Sequence, residues 1–121
     1  MATFSKQILS GSTNGRGIAV AATATLGTTI HATGTSASIY DEIWLYANNI
    51  HSSAVTLTIE FGGATTTSDL IQQSIAATPS GLVLVCAGLI LRGTGSAATT
   101  VTAFAGTANK IEIFGFVNRI A

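Results

Sequence analysis

The side chains with the greatest chemical capacity in this chain are two histidines and one cysteine. His31 and His51 could act as bases or metal ligands, and Cys86 could act as a nucleophile or a soft ligand. Three such residues do not make a cysteine-rich zinc site, and a single cysteine excludes a disulfide framework. Each histidine lies in a Thr- and Ser-rich stretch without a carboxylate partner nearby in sequence. We therefore interpret both as surface or interface residues.

The remaining candidates for catalysis are equally weak. Asp41 and Glu42 are adjacent, and neighbouring residues of a strand point to opposite faces, so they cannot form a paired-carboxylate site. Cys86 lies within the apolar run Gly81 to Leu91, which predicts a buried thiol. No Gly-x-Ser-x-Gly elbow occurs. The sequence predicts no catalytic residues, no metal site, no cofactor and no enzymatic activity.

Two glycine-rich stretches resemble phosphate-binding loops only superficially. Gly93 to Ala98 follows an apolar strand, but Thr99 to Thr102 favours another strand where a dinucleotide site needs a helix. Gly11 to Gly17 lacks the Gly-Lys-Ser/Thr ending of a P-loop. Both are predicted to be loops.

The charge of the chain narrows its partners further. The 121 residues carry five basic and five acidic side chains, and charged residues make up 8% of the chain, against about 25% in an average soluble protein. A binder of nucleic acid needs an excess of Lys and Arg, so no nucleic-acid partner is expected. The longest apolar run is about half the length of a membrane helix, so no membrane partner is expected. No signal peptide is visible, and the chain is expected to be made in a cytoplasm.

Short alternating segments predict strands along most of the chain. Ala54 to Phe61 alternates without exception, and we expect it to form a hairpin with Ile43 to Ala47. A second hairpin is expected between Val101 to Ala105 and the segment 111–118, which we expect to be central. The run Leu82 to Leu91 should be broken by a bulge or kink near Ala87 and Gly88. Further strands are predicted at Phe4 to Leu9, Ile18 to Thr25, Thr28 to Thr33 and Asp69 to Ala77, and for the last of these a short helix capped by Asp69 is the alternative.

These segments predict an all-β fold: a single-domain β-sandwich of eight or nine short strands, for which a jelly roll is one candidate topology. Residues 1–16 form an N-terminal strand that could serve as an arm, and residues 17–121 form the sandwich. Outward positions are expected to carry Thr, Ser and Ala, while Trp44 and Tyr46, which share one face of a strand, are expected in the core. Charged side chains normally keep the edge strands of a sheet from pairing with other chains, and this chain has few of them. We therefore expect much of the surface to be buried against copies of itself or a larger partner.

Four stretches resemble the small virion proteins of tailed bacteriophages, most closely the capsid decoration or cement proteins. They are FSKQILSGSTNGRGI, DEIWLYANN followed by AVTLTIEFGG, GLVLVCAGLILRG, and ANKIEIFGFVNRI. The resemblance implies a β-sandwich, often a homotrimer, on the capsid exterior that binds the major capsid protein and ties neighbouring capsomers together. Some such proteins are tail or fibre components.

Two features are predicted to contact the capsid or a neighbouring copy. One is the N-terminal segment from Ala2 to Arg16, and the other is the set of scarce arginines, which could contact carboxylates. The predicted interface residues are Phe4, Lys6, Asn14, Arg16, Arg92 and Arg119. A carbohydrate-binding module or fibre component is the alternative, and exposure of Trp44 with Tyr46 would favour it.

Overall fold

The computed structural model describes residues 2–121, which form nine β-strands and one short 3-10 turn at Thr67–Asp69. Met1, the first residue of the predicted N-terminal segment, lies outside the described residues. The strands are β1 (Phe4–Ile8), β2 (Ile18–Ala19), β3 (Thr28–Ala32), β4 (Tyr40–Asn49), β5 (Val55–Phe61), β6 (Leu70–Ile75), β7 (Val83–Arg92), β8 (Thr100–Ala105) and β9 (Ile111–Ile120).

The strands form two antiparallel sheets that pack face to face as a sandwich. Sheet A has the order β1-β9-β4-β7, with the short β2 also paired to β9, and sheet B has the order β3-β8-β5-β6. Strands that follow one another in the chain mostly lie in different sheets, which gives the strand order of a jelly roll. The predicted all-β sandwich of eight or nine strands is confirmed.

The core lies between the two sheets and consists of the inward-facing residues of each strand. In β4 these are Ile43, Leu45 and Ala47, each fully buried, and the alternation matches the two-residue period of a strand. β9 lies in the middle of sheet A, as its sequence predicted, with Ile113 and Val117 facing the core. Burial of these aliphatic side chains supplies the main favourable free energy of the fold.

The predicted irregularity in the apolar run is confirmed. The β4–β7 register shifts between Ile43 and Trp44, where Gly88 is the extra residue, and shifts again at Val85. Gly88 has a φ of +68°, a conformation that side chains with a Cβ rarely adopt. The bulge lets a continuous apolar segment remain in one sheet as an edge strand.

Both predicted hairpins are wrong. β4 pairs with β7 and β9 in sheet A, whereas β5 pairs with β6 and β8 in sheet B. β8 and β9 likewise belong to different sheets. The connections after β4 and after β8 therefore cross from one sheet to the other. The strand predicted at Ile18 to Thr25 is also shorter: β2 ends at Ala19, the Val20 N–H still donates to Ile111 of β9, and the Ala22 carbonyl accepts from Ala105 of β8 in the other sheet.

The N-terminal segment is part of sheet A. All five residues of β1 pair with β9, from Phe4 opposite Ile120 to Ile8 opposite Phe116. Leu9 is fully buried in the core, and the Gly11 N–H donates to the Ile30 carbonyl. A role of this segment as an arm stays a prediction. Within residues 2–121, no helix is long and apolar enough to cross a membrane.

Candidate interaction surface

The strand register places a set of large side chains in rows on the outer face of sheet A. Directly opposed residues of paired antiparallel strands lie on the same face, so the register identifies each row. From β1 to β7 the rows are Phe4, Ile120, Tyr40 and Arg92; then Lys6, Asn118, Glu42 and Ile90; then Ile8, Phe116, Trp44 and Ala87; then Phe114, Tyr46 and Leu84. We call this set the aromatic face.

The aromatic face is open to solvent in the isolated chain. Phe4 is 71% exposed, and the other strongly exposed members are Ile8, Tyr40, Leu84 and Ile90, at 54%, 38%, 46% and 55%. Its other aromatic side chains are half-buried. Single exposed apolar residues are common on soluble proteins, but a contiguous apolar face is typical of an interaction site.

Trp44 and Phe116 form the centre of this face. Their rings are stacked, with centroids 6.1 Å apart and planes 11° from parallel. The indole lies over Gly88, where an added Cβ would approach Trp44 to 2.9 Å. Lys6 Nζ lies 4.8 Å from the Phe116 ring centroid, within the range of a cation–π contact. The rings therefore occupy a fixed arrangement before any partner binds.

Glu42 fixes the orientation of the indole. Its Oε1 accepts hydrogen bonds from Trp44 Nε1 at 2.8 Å and from Asn118 Nδ2 at 3.0 Å. The hydrogen bond from Asn118 is the largest cause that lowers the pKa of Glu42, and the one from Trp44 is the next. The carboxylate is thus ionised at neutral pH and holds polar groups from β4 and β9 together.

The prediction that Trp44 and Tyr46 lie in the core is wrong. Both belong to the aromatic face, while the small aliphatic residues of the same strand fill the core. Glu42 and Asn48 point to the same side of β4 as Trp44 and Tyr46, and these polar residues could have revealed that this side faces solvent. In β9, Glu112 and Asn118 likewise lie on the same side of the strand as Phe114 and Phe116. Sequence reasoning treated ring size as a sign of burial and missed that signal.

The outer face of sheet B matches the predicted Thr- and Ser-rich surface. The register places Thr56, Thr58 and Thr102 on it. The segment between β2 and β3 covers part of this face, because Glu60 accepts hydrogen bonds from the Thr25 hydroxyl, the Gly27 N–H and the Thr102 hydroxyl. The outer face of sheet B is therefore largely polar and partly covered by the segment between β2 and β3, whereas the outer face of sheet A is aromatic and is covered only at its Phe114 end, where Gly17 packs on the ring.

Three of the predicted interface residues lie on the aromatic face. Phe4 and Lys6 belong to its β1 edge, and Arg92 lies at the end of the β7 edge. Arg92 Nη1 donates to the Ala37 carbonyl at 3.1 Å, and the guanidinium lies 6.0 Å from the Tyr40 ring centroid. The structure thus brings these three residues onto one surface.

The other three predicted interface residues are not members of the aromatic face, although Arg16 lies beside it. Asn14 and Arg16 belong to the exposed loop after β1, and Arg16 lines a cavity of about 600 Å³ with Glu112 and Phe114. Arg119 faces the opposite side of β9 and donates to Asp41 from Nε at 2.8 Å and from Nη2 at 3.0 Å. This ion pair is formed within the chain, so a contact of Arg119 with another chain stays a prediction.

A buried histidine–aspartate pair joins the two sheets, so the prediction that His31 is a surface or interface residue is wrong. His31 of β3 and Asp41 of β4 are each 1% exposed, and His31 Nε2 lies 2.7 Å from Asp41 Oδ2. The Ser10 N–H donates to His31 Nδ1, so Nε2 carries the proton and donates to the carboxylate. Such a pair can orient a catalytic base, but here the second ring nitrogen already accepts a backbone hydrogen bond. The arrangement therefore suits a structural bridge between the sheets.

Burial and hydrogen bonding oppose each other at the two buried carboxylates. Burial alone would raise the pKa of Asp41, but the hydrogen bonds from Arg119 and His31 outweigh it and the pKa is lowered. The same balance lowers the pKa of Glu60, through Thr102, Thr25 and the Gly27 N–H. Both side chains are ionised at neutral pH and hold neighbouring segments in place.

The remaining groups offer no further chemistry among the described residues. Cys86 is buried, as predicted, and burial raises the pKa of its thiol. No group of three or more His, Cys, Asp and Glu side chains within residues 2–121 could hold a metal ion. Comparison with protein-family models, curated proteins and solved structures finds no match for this chain.

Proposed function

We propose that this protein is a structural component of a tailed-phage virion that binds the outer surface of the capsid and stabilises it by bridging capsomers. The observation that carries the proposal is the aromatic face, which has three charged side chains among large apolar ones. A face of this kind supports association with protein. The assignment to a virion rests on the sequence resemblance, and the major capsid protein is the proposed partner.

The fold is compatible with this function without deciding it. Jelly rolls occur in viral capsid and lectin domains, among others, and one fold hosts many functions. The neutral chain fits a lattice protein better than a freely diffusing monomer, because low net charge favours association. The buried hydrogen bond between His31 and Asp41, which joins the two sheets, helps to give such a component a fixed shape.

The proposed mechanism is mechanical. Packaged DNA pushes the shell outward, and a bridging protein adds contact area that must separate before capsomers part. A standard stable contact buries about 1,600 Å² in total. Many identical bridges, each of modest strength, then add up through multivalency.

The experiment is co-sedimentation of the purified protein with empty phage shells that lack it. We expect saturable binding at a fixed number of copies per shell, together with a higher temperature of shell opening. Arg16→Gln tests the exposed loop after β1, and Ser68→Asp makes the same one-unit change of charge at an exposed site of the β5–β6 connection. Deletion of residues 2–16 is a poor test because it removes β1 and the core residue Leu9.

Two outcomes would overturn the proposal. One is a folded protein that leaves the shells in the supernatant at every concentration tested. The other is binding that does not change the temperature of shell opening. Weaker binding by Arg16→Gln alone would assign the loop to the capsid contact, and equal loss in both variants would point to net charge instead.

A carbohydrate-binding function is the second candidate, and the outward position of Trp44 and Tyr46 favours it. Flat aromatic rings on an open sheet face can stack against sugar rings, and the stacked Trp44 and Phe116 already form such a platform. Trp44 is the only tryptophan of the chain, so its fluorescence reports binding directly. Titration with host surface glycans should change the emission if this function is correct and leave it unchanged otherwise.

A further inference from the structure

We infer that the aromatic face of sheet A binds a second copy of this chain, and that the protein is a face-to-face dimer with a two-fold axis parallel to the strands between β9 and β4. This inference goes beyond the proposed function: the second copy covers the aromatic face, so the capsid contact of the dimer would lie outside that face, for which the exposed loop after β1 is the candidate. It is measured on the purified protein alone, so its failure is distinguishable from failure to bind capsids.

The area of the aromatic face is close to what a dimer needs. A large aromatic side chain buries roughly 150–250 Å² when fully covered. Applied to the exposed fractions of the apolar members, this gives about 700 Å² of open apolar surface. The largest apolar patch of a typical monomer is about 300–600 Å², and one partner of a standard interface buries about 800 Å².

The pattern of the face is self-complementary. A two-fold axis between β9 and β4 lays β9 of one copy over β4 of the other and β1 over β7. Phe116 of one copy then lies over Trp44 of the other, and Trp44 lies over Phe116. The strands of two packed sheets cross at about 30°, so the opposed residues lie closest to each other at the centre of the face and diverge toward its ends.

The charges agree with this arrangement. Lys6 meets Ile90 of the other copy, Arg92 meets Phe4, and Glu42 meets Asn118. No two like charges are opposed: Lys6 shares its row with Glu42, and Arg16 lines the cavity beside Phe114 together with Glu112, so a carboxylate accompanies a basic side chain at both places. A partner of strong net charge would leave this balance unused, whereas a second copy of a net-neutral chain matches it.

The first measurement is sedimentation velocity over a concentration series, with Trp44 emission recorded on the same samples. We expect a monomer–dimer transition, and a blue shift of the emission with the same midpoint as the face becomes dry. A monomer at all concentrations would overturn the inference, as would the homotrimer that the resemblance implies, or association that leaves the emission of Trp44 unchanged.

A charge exchange then tests the proposed axis. Ile90→Lys would place a cation opposite Lys6 of the other copy, and we expect about tenfold or greater weakening of the dimer. The double variant Lys6→Glu/Ile90→Lys should recover much of that loss. Within one copy, Lys6 and Ile90 lie on edge strands three strand spacings apart, about 14 Å, so recovery reports a contact between copies.

Leu26→Lys is the matched control, because Leu26 is 69% exposed and lies in the connection between β2 and β3, outside sheet A. We expect it to dimerise like the unsubstituted protein, and far-ultraviolet circular dichroism should show the same strand content for every variant. Equal weakening by Leu26→Lys, or no recovery in the double variant, would overturn the inference.

Discussion

Asp41 of sheet A and His31 of sheet B are joined by a 2.7 Å hydrogen bond in the interior of the sandwich. Arg119 completes the charge balance from β9, and the Ser10 N–H occupies the other nitrogen of the histidine ring. Four segments that are distant in sequence therefore meet at one polar cluster. Every buried side-chain nitrogen and oxygen of the described residues has a hydrogen-bond partner. Such a cluster contributes to the stability of the fold only while it is complete.

His31→Phe is expected to lower the free energy of unfolding by about 2–4 kcal/mol, because it keeps a ring of similar size while leaving the buried Ser10 N–H without a partner and removing the histidine hydrogen bond to Asp41, which keeps only those from Arg119. Urea denaturation followed by Trp44 fluorescence measures the change. His51→Phe is the matched control, because His51 is a half-buried residue between β4 and β5 and should change stability by less than about 0.5 kcal/mol. Equal effects of the two variants would contradict the structural role of His31.

Stability is expected to fall in acid. The pKa values of Asp41 and Glu60 are lowered in the folded protein from 3.8 and 4.5, so the unfolded chain binds protons first as the pH falls. Their contribution is present in full at neutral pH and is lost as the pH falls through 4.5 and then below 3.8. Urea denaturation at a series of pH values from 7 to 3 measures this loss. Asp41→Asn should reduce the acid dependence, and an unchanged profile would contradict the prediction.

Gly115→Ala is expected to destabilise the fold by about 3 kcal/mol or more. A Cβ at Gly115 would lie 2.0 Å from the Trp44 carbonyl oxygen and 3.2 Å from the Leu45 Cα, and backbone atoms of a paired strand cannot move aside. Gly106→Ala is the control, because a Cβ there meets no atom within 4 Å. Thermal unfolding of both variants should show a large loss for the first and little change for the second.

The thiol of Cys86 is expected to be unreactive in the native protein. It is buried, its Sγ lies 3.3 Å from the Ile43 carbonyl oxygen, and burial raises its pKa. A thiol-specific chromogenic reagent at pH 8 should react slowly in buffer and rapidly in denaturant. Rapid reaction under native conditions would show that β7, an edge strand, opens locally without global unfolding.

The sequence was sufficient to predict the strands, the central position of β9 and the bulge at Gly88, because these depend on local alternation and on glycine. It was insufficient for the partners of each strand. A short polar connection such as 50–54 fits a turn within one sheet as well as a crossing between sheets. Which one forms depends on neighbours that are distant in the chain, such as β7 and β9 for β4.

The candidate surface was predictable only in part. Phe4, Lys6 and Arg92 were chosen as scarce or terminal residues, and they lie on the aromatic face. Trp44 was assigned to the core because large rings are usually buried. What decides its orientation is the space available between the sheets, which the backbone of β4 fills with Ile43, Leu45 and Ala47.

The central place of β9 also determines when this fold can form. β1 and β2 pair with β9, and β4 pairs with β9 along one of its two edges, yet β9 is the last strand in the chain order. During synthesis the earlier strands of sheet A leave the ribosome without the neighbour they need. We therefore expect folding after translation of β9, with a slow rate set by closure of long loops. Until then the exposed apolar strands are open to chaperones and to premature contact with other nascent chains.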